Sequence, residues 1–258
     1  MEQLLKKYRQ LDLSESLNYE RFSMYSIVWH STKIEGCQLT ELETRMLLEE
    51  DVVAGGKPLT DHLMVKDHYL AFLLVQELAS QRLPITIPLL QRINAAVMHG
   101  TGALVRTVLG DFDSSRGDLR LVRVFVGKKY FPPHDKVPGL LEAFCAGVNE
   151  QLLNATGIDA LNLAADVHYN FINIHPFADG NGRTARLLMN YILFYHGLPP
   201  IKIFSEDRTA YIDALNATEA MNDLTIFRAF VRGQYEKFFR SEIEKVERSE
   251  RGGFTLMF

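Results

Sequence analysis

The 258 residues are 47% hydrophobic and carry a formal net charge of −4, with a pI near 6.1. That is enough apolar material for a substantial core and gives no positive excess that would hold nucleic acid. Two cysteines, Cys37 and Cys145, are too few for a disulfide framework or a cysteine-only metal site and read as structural thiols of a reducing compartment. The start, MEQLLKKYRQLDLSES, lacks the apolar core of a signal peptide, and no run of about 18 apolar residues follows. A soluble cytoplasmic protein with no membrane partner is the expectation.

In chain order, mixed apolar spacing predicts helices over residues 19–34, 39–53, 59–83 and 88–99, with a Gly55-Gly56 turn before the third. Residues 119–131 break this pattern. Leu121, Val122, Val124, Phe125 and Val126 precede Gly127-Lys128-Lys129, β-branched and aromatic content around a glycine turn that predicts a short hairpin. On residues alone it either plugs one end of a helical core or offers a docking edge, with Lys128 and Lys129 expected on solvated surface. Helices follow over 139–153 and 159–174, and His168 lies seven before His175 on a similar face. After a Gly-rich loop, 183–193 is free of Gly and Pro and reads as a helix beginning near Gly182, ended by His196-Gly197 and Leu198-Pro199-Pro200. A charged helix covers about 224–248. The tail to Phe258 is too short for a domain, and is either disordered or docked on another subunit.

The loop and its flanks, HPFADGNGRTAR from His175 to Arg186, bring together one histidine, one carboxylate, a Gly-Asn-Gly turn and two arginines. Gly180 and Gly182 can take positive φ and have no Cβ, so successive backbone N–H groups can form a nest for one anion at the positive end of the next helix. Arg183 and Arg186, three apart on that helix, project from neighbouring positions. His175 is placed to act as a general base on a hydroxyl, and Asp179 is a hard oxygen donor suited to Mg²⁺ on a polyphosphate. The pattern is neither a Walker A loop nor GxGxxG.

This segment resembles the signature of the Fic (Fido) domain, HPFx[DE]GNGRxxR, at every fixed position. Gly117-Asp118-Leu119-Arg120 through Phe131-Pro132-Pro133-His134 is similar to the family's flap, and Val167-His168-Tyr169 leads into the signature as in the family. The resemblance implies a mainly α fold, a Fic-type helical bundle with a small β-hairpin flap. It divides the chain into an N-terminal helical extension (1–85), a catalytic core (86–240), and a helix end and tail (241–258).

The implied activity is transfer of AMP from ATP to a Tyr, Ser or Thr hydroxyl of a target protein. In that reading His175 deprotonates the hydroxyl and Asp179 holds Mg²⁺ across the α- and β-phosphates. Gly180, Asn181 and Gly182 form the anion hole, Arg183 serves the β-phosphate region and Arg186 the γ-phosphate. Removal of AMP, another nucleotide donor, and an ATP-sensing binder with negligible turnover stay open beside it. Downstream of Arg208 and Tyr211, where relatives often carry an Asn near the nucleotide base, this chain reads Ala217-Thr218-Glu219. Many relatives add a C-terminal winged helix, which is not expected in this chain, and self-association is common in the family, so a homo-oligomer is compatible with the resemblance.

A second segment, Ser31-Thr32-Lys33-Ile34-Glu35-Gly36, closes the first predicted helix, with Gly36 as its C′ residue. Glu35 then stands at the negative end of a helix dipole, where a carboxylate is disfavoured. The segment resembles the family's inhibitory motif, [ST]xxxE[GN], with Ser31, Glu35 and Gly36 at the fixed positions. That resemblance implies a Glu35–Arg186 pair which keeps the γ-phosphate from docking.

Overall fold

A loop that must hold charge in one place needs a rigid seat, and this chain makes one by burying a single helix on all sides. The computed structural model describes residues 1–11, 19–127 and 129–252. Helices α1 (Glu2–Gln10) and α2 (Tyr19–Ile34) lead to α3 (Glu41–Glu50). α3 opens with a capping box: Thr40 Oγ1 accepts from the Glu43 N–H at 3.2 Å, and Glu43 Oε2 accepts from the Thr40 N–H at 2.7 Å. α4 (Leu59–Ser80) and α5 (Ile87–Met98) follow, the latter capped by the Thr86 hydroxyl and helped by Pro88 in its first turn.

Two small antiparallel hairpins come next. β1 (Leu104–Thr107) pairs with β2 (Gly110–Asp113), and β3 (Phe125–Val126) pairs with β4 (Lys129–Tyr130), with Phe125 opposite Tyr130. The remainder is helical: α6 (Val137–Leu152), α7 (Ile158–Ile174), α8 (Asn181–Tyr195), α9 (Arg208–Met221) and α10 (Leu224–Gly252).

Every residue of α8 except Gly182 and Phe194 is buried, the signature of a core helix with no solvent stripe. α7, α4 and α5 pack around it, and the core continues from Ile27 and Ile34 of α2 through Phe171 and Leu188 to Phe239 of α10. A small second cluster, Val28, Cys37, Leu39, Leu47 and Val65, joins α2, α3 and α4. Cys37 and Cys145 are free and buried. The start of the flap segment is pinned to α5 by a backbone contact: at Gly117, with φ +72°, an added Cβ would stand 2.1 Å from the Gln91 carbonyl oxygen.

The mainly α architecture and the hairpin around Gly127 agree with the sequence reading. Three elements escaped it. α1 has no fully buried residue and α9 only Tyr211 and Thr218, so neither shows a clear apolar stripe. β1–β2 buries Phe112 alone among its strand residues, too little for a period of two to show. Lys128 and the last residues of the expected tail, 253–258, lie outside the described residues.

Gly117→Ala is expected to lower unfolding free energy by at least about 2 kcal/mol, combining left-handed strain with a backbone clash. Gly147→Ala, inside α6 with nothing within 4 Å of the new Cβ, should instead stabilise by about 0.5–1 kcal/mol. Urea unfolding of both variants checks the contrast.

Candidate active site

His175 terminates α7 in a left-handed conformation, φ 50° and ψ 59°, with its N–H on the Phe171 carbonyl at 3.0 Å. A non-glycine residue holds such a backbone only when its surroundings fix it. They do so here through Arg120, which is 1% exposed. Its Nε donates to the His175 carbonyl at 2.7 Å, Nη1 to the Val122 carbonyl at 2.8 Å and Nη2 to the Pro132 carbonyl at 2.7 Å. One guanidinium therefore joins both ends of the flap to the histidine's own backbone. Arg120 lay within the stretch similar to the family's flap, but nothing in the sequence marked it as buried.

The imidazole Nδ1 lies 3.3 Å from the Ile172 carbonyl. A carbonyl only accepts, so the contact assigns the proton to Nδ1 and leaves the lone pair on Nε2. The Phe131 ring stacks on the imidazole at 3.9 Å and 22°. Burial pushes the imidazolium pKa down to about 4; the Ile172 contact and Asp179 work against this, while Arg120 and Lys129 add to it.

Gly180, at φ +75°, is the N-cap of α8, and no side chain caps the helix. The first-turn N–H groups of Asn181, Gly182 and Arg183 thus have no intrahelical partner and face the loop mouth. Asn181 staples the loop beneath them, Nδ2 donating to the Phe177 carbonyl at 2.8 Å and Oδ1 accepting from the Phe177 N–H at 3.1 Å. Asn94 of α5 braces it from the other side, donating to the Asp179 carbonyl and to Thr184 Oγ1, each at 3.2 Å. Asn94 went unnoticed because it sits among Leu90, Ile93 and Val97 on an apolar helix face. The expected positive φ at Gly182 is not found. Gly182 lies within the helix, and its missing Cβ serves packing: a Cβ there would stand 2.5 Å from Glu35 Oε1.

Both arginines are buried. Arg183 Nη1 donates to the Val97 carbonyl at 3.2 Å, and Nη2 contacts Met98 Sδ at 3.1 Å; burial lowers its pKa, with Asp179 and Glu35 opposing. Arg186 Nε donates to Ser31 Oγ at 2.9 Å, and Nη2 donates to the Ser31 carbonyl at 2.9 Å and to Glu35 Oε1 at 2.6 Å. Burial works against the Arg186 charge, but Glu35 and Tyr211 together outweigh it and hold the guanidinium pKa above its ordinary value. Burial likewise works against the Glu35 carboxylate, yet Arg186, then Arg183 and Arg208, hold its pKa below the usual range. Gly36 takes φ +100°, turning the chain at the end of α2, and Arg208 donates to the Ile34 carbonyl at 2.8 Å. The Ser31, Glu35 and Gly36 segment, distant in sequence, thus reaches the α8 N-terminus.

Residues 84–193 match the model of the Fic/DOC family. The chain carries a Fic/DOC-family domain. It is 32% identical over 211 residues to the protein adenylyltransferase Fic of Drosophila persimilis, an alignment covering 81% of this chain and 39% of that protein. The chain therefore spans about two fifths of the length of the curated relatives it matches. Among solved structures, a fragment of Fic-1 from C. elegans superposes with a TM-score of 0.79 at 26% identity, covering 96% of this chain and 71% of that one. A Fic-domain signaling protein from Bacteroides thetaiotaomicron gives 0.74 at 23% identity, covering 94% and 95%, and bears on the fold alone.

Within this Fic domain Asp179 is the outermost of the motif residues, its side chain 71% exposed, with Oδ2 3.8 Å from Arg183. Its Oδ1 accepts from the Gly180 N–H at 2.6 Å. A single accessible carboxylate beside an anion seat fits Mg²⁺ shared with a polyphosphate, which takes one or two protein oxygens and fills its shell from phosphates and water. His168 is fully buried and shares a 2.9 Å hydrogen bond with the Tyr211 hydroxyl; Tyr211 in turn acts on Arg186, so His168 reaches the site only indirectly, through α9. Lys129 departs from the solvated position expected of it: its Nζ donates to Asn173 Oδ1 at 2.5 Å and to Glu219 Oε2 at 2.7 Å. Among the described residues no helix is long and apolar enough to cross a membrane.

In an NMR titration the His175 ring is expected to turn near pH 4 in the native protein, and Phe131→Ala should move that midpoint toward 6.5 by letting water reach the ring. Because the unfolded chain binds this proton near 6.5 and the folded one only near 4, the stability it contributes falls as pH drops through that window.

Proposed function

We infer that this chain transfers AMP from ATP to a side-chain hydroxyl of a target protein, and that Glu35 holds the reaction off. The observation that supports transfer most directly is the imidazole of His175, whose Nδ1 faces the Ile172 carbonyl and whose Nε2 lone pair is left for an acceptor. The relatives named protein adenylyltransferase Fic point the same way.

The acceptor oxygen attacks the α-phosphorus in line. The bond from that phosphorus to the bridging oxygen breaks, pyrophosphate leaves and the hydroxyl proton passes to His175 Nε2. The first-turn N–H groups of α8, together with Arg183 and Arg186, neutralise charge on the departing pyrophosphate. Asp179 would hold Mg²⁺ against the phosphates, and the bound ion would add further neutralisation. The enzyme's work is positioning and charge compensation.

Glu35 stands where a phosphate oxygen would. A charge-assisted pair of this type contributes roughly 1.5–3 kcal/mol, and the 35% exposure of the Glu35 side chain against 5% for Arg186 places it toward the lower end. That corresponds to about a tenfold or somewhat larger bias between closed and competent states, large enough to suppress turnover and small enough for a partner to release.

Intact-mass measurement of the wild type, Glu35→Gly and Glu35→Gly/His175→Ala after incubation with ATP and Mg²⁺ tests both parts. Glu35→Gly should gain AMP about tenfold or somewhat faster than the wild type, and the double variant should gain none. Equal labelling of the double variant would remove His175 as the base. Labelling by another nucleoside triphosphate but not ATP would keep the mechanism and change the donor.

A further inference from the structure

The flap hairpin has little to hold it. β3 and β4 are two residues each, and their outer side chains are exposed: Phe125 63%, Val126 61% and Tyr130 77%. An isolated ribbon of this size does not keep a fixed position in water. Arg120 secures its base, where chain enters and leaves. Beside the Phe131 ring stacked on His175, Lys129 ties the hairpin itself to other elements.

Lys129 Nζ reaches out of the flap to two other elements at once. It donates to Asn173 at the end of α7, two residues before His175, and to Glu219 on α9. Asn173 is set for this, since its Nδ2 donates to the Tyr169 carbonyl at 3.0 Å within α7, which directs Oδ1 to the ammonium. The same ammonium lies 5.5 Å from the Phe131 ring centroid, and Phe131 stacks on His175. Flap, α7, α9 and the imidazole are thereby linked through one cation, which is 30% exposed and has its acid partner at 51%.

We propose that Lys129, clasped between Asn173 and Glu219, is a positioning residue that fixes the flap hairpin over His175. This rests on the transfer reading above. If the acceptor segment pairs with the flap edge, the height of that edge over Nε2 sets how well the hydroxyl is aligned, and the clasp sets the edge. The bound nucleotide is held by α8 and its arginines, so the clasp acts on transfer and not on ATP binding.

The test uses the full chain carrying Glu35→Gly, with Lys129→Glu, Glu219→Lys, the double reversal and Lys129→Arg. Hydrogen exchange of the flap amides, measured without nucleotide, should speed up about two- to fivefold in each single reversal, the factor expected for loss of a part-exposed charge pair. It should return toward the parent in the double reversal and in Lys129→Arg. Self-labelling with AMP should follow the same order through its maximal rate, with the KM for ATP within about twofold of the parent. Unchanged flap exchange in both single reversals overturns the proposal, as does a double reversal no better than the singles. If the Glu35→Gly parent takes up no AMP, the transfer reading fails, while the exchange measurements still decide whether Lys129 clasps the flap.

Discussion

Two buried guanidiniums aimed at the open end of a buried helix are the constraint around which this molecule is arranged. Arg183 and Arg186 are 2% and 4% exposed, and the α8 N-terminus adds its own partial positive charge to theirs. Leaving such a concentration of positive potential inside a protein without an anion is costly. Carbonyls of Val97 and Ser31 absorb part of it, and among the described residues the Glu35 carboxylate supplies the one full negative charge within hydrogen-bond distance of Arg186. In the proposed reading the seat that stabilises a leaving pyrophosphate is the same seat that must be filled when no nucleotide is present. Inhibition then follows from the catalytic design, because the residue that satisfies the resting state is the one the γ-phosphate must displace.

That displacement need not disturb the fold. α2 is held by more than the Glu35 pair: the Lys202 ammonium, buried at 4% exposure, donates to Ser26 at 3.1 Å, His30 accepts from the Ser205 N–H at 3.0 Å, and the Gln38 N–H reaches Asp61 at 2.7 Å. With Glu35 withdrawn, Arg186 still donates to the Ser31 hydroxyl and carbonyl. The cost of opening is thus confined to one carboxylate at a helix end, where Gly36 allows a local change of direction. A larger anchor would make the off state permanent, and a weaker one would leave the seat to any passing anion.

How far the site could be read from the chain depended on whether residues act through order or through distance. The His175 to Arg186 stretch was legible because its parts are adjacent, and the glycines around Asn181 announce a phosphate-type turn. The Ser31 to Gly36 segment became legible only through resemblance, since nothing local explains a carboxylate at a helix C-terminus; the explanation is Arg186 near the N-terminus of another helix, 151 positions later. Arg120, Asn94 and Lys129 carried no signal of their own. A buried arginine bound only to carbonyls, an asparagine on an apolar face and a flap lysine that finds its acid on α9 are defined by tertiary contacts. The positive φ foreseen for Gly182 was the right residue for a different reason: the lack of a side chain admits Glu35, and the backbone stays helical. For the fold, long helices with apolar stripes were readable, whereas α9 and β1–β2, which bury almost nothing, were not.

A base held near pKa 4 is a poor proton acceptor, which bears on where the catalytic power of such a site lies. It is unprotonated throughout the neutral range, so it is always ready, yet it offers little driving force for removing a hydroxyl proton before bond formation. Phosphoryl-type transfer tolerates this because its transition state is loose: the attacking oxygen has gained little bond order, and its proton becomes acidic only as the new bond forms. The proton can then pass late to Nε2 and be lost quickly to water. Under those conditions the rate depends on alignment of the acceptor and on compensation of the leaving charge more than on the strength of the base. In the proposed reading, the flap, tied down by Arg120 and Lys129, and the α8 anion seat that Glu35 occupies at rest are the features that control those two quantities.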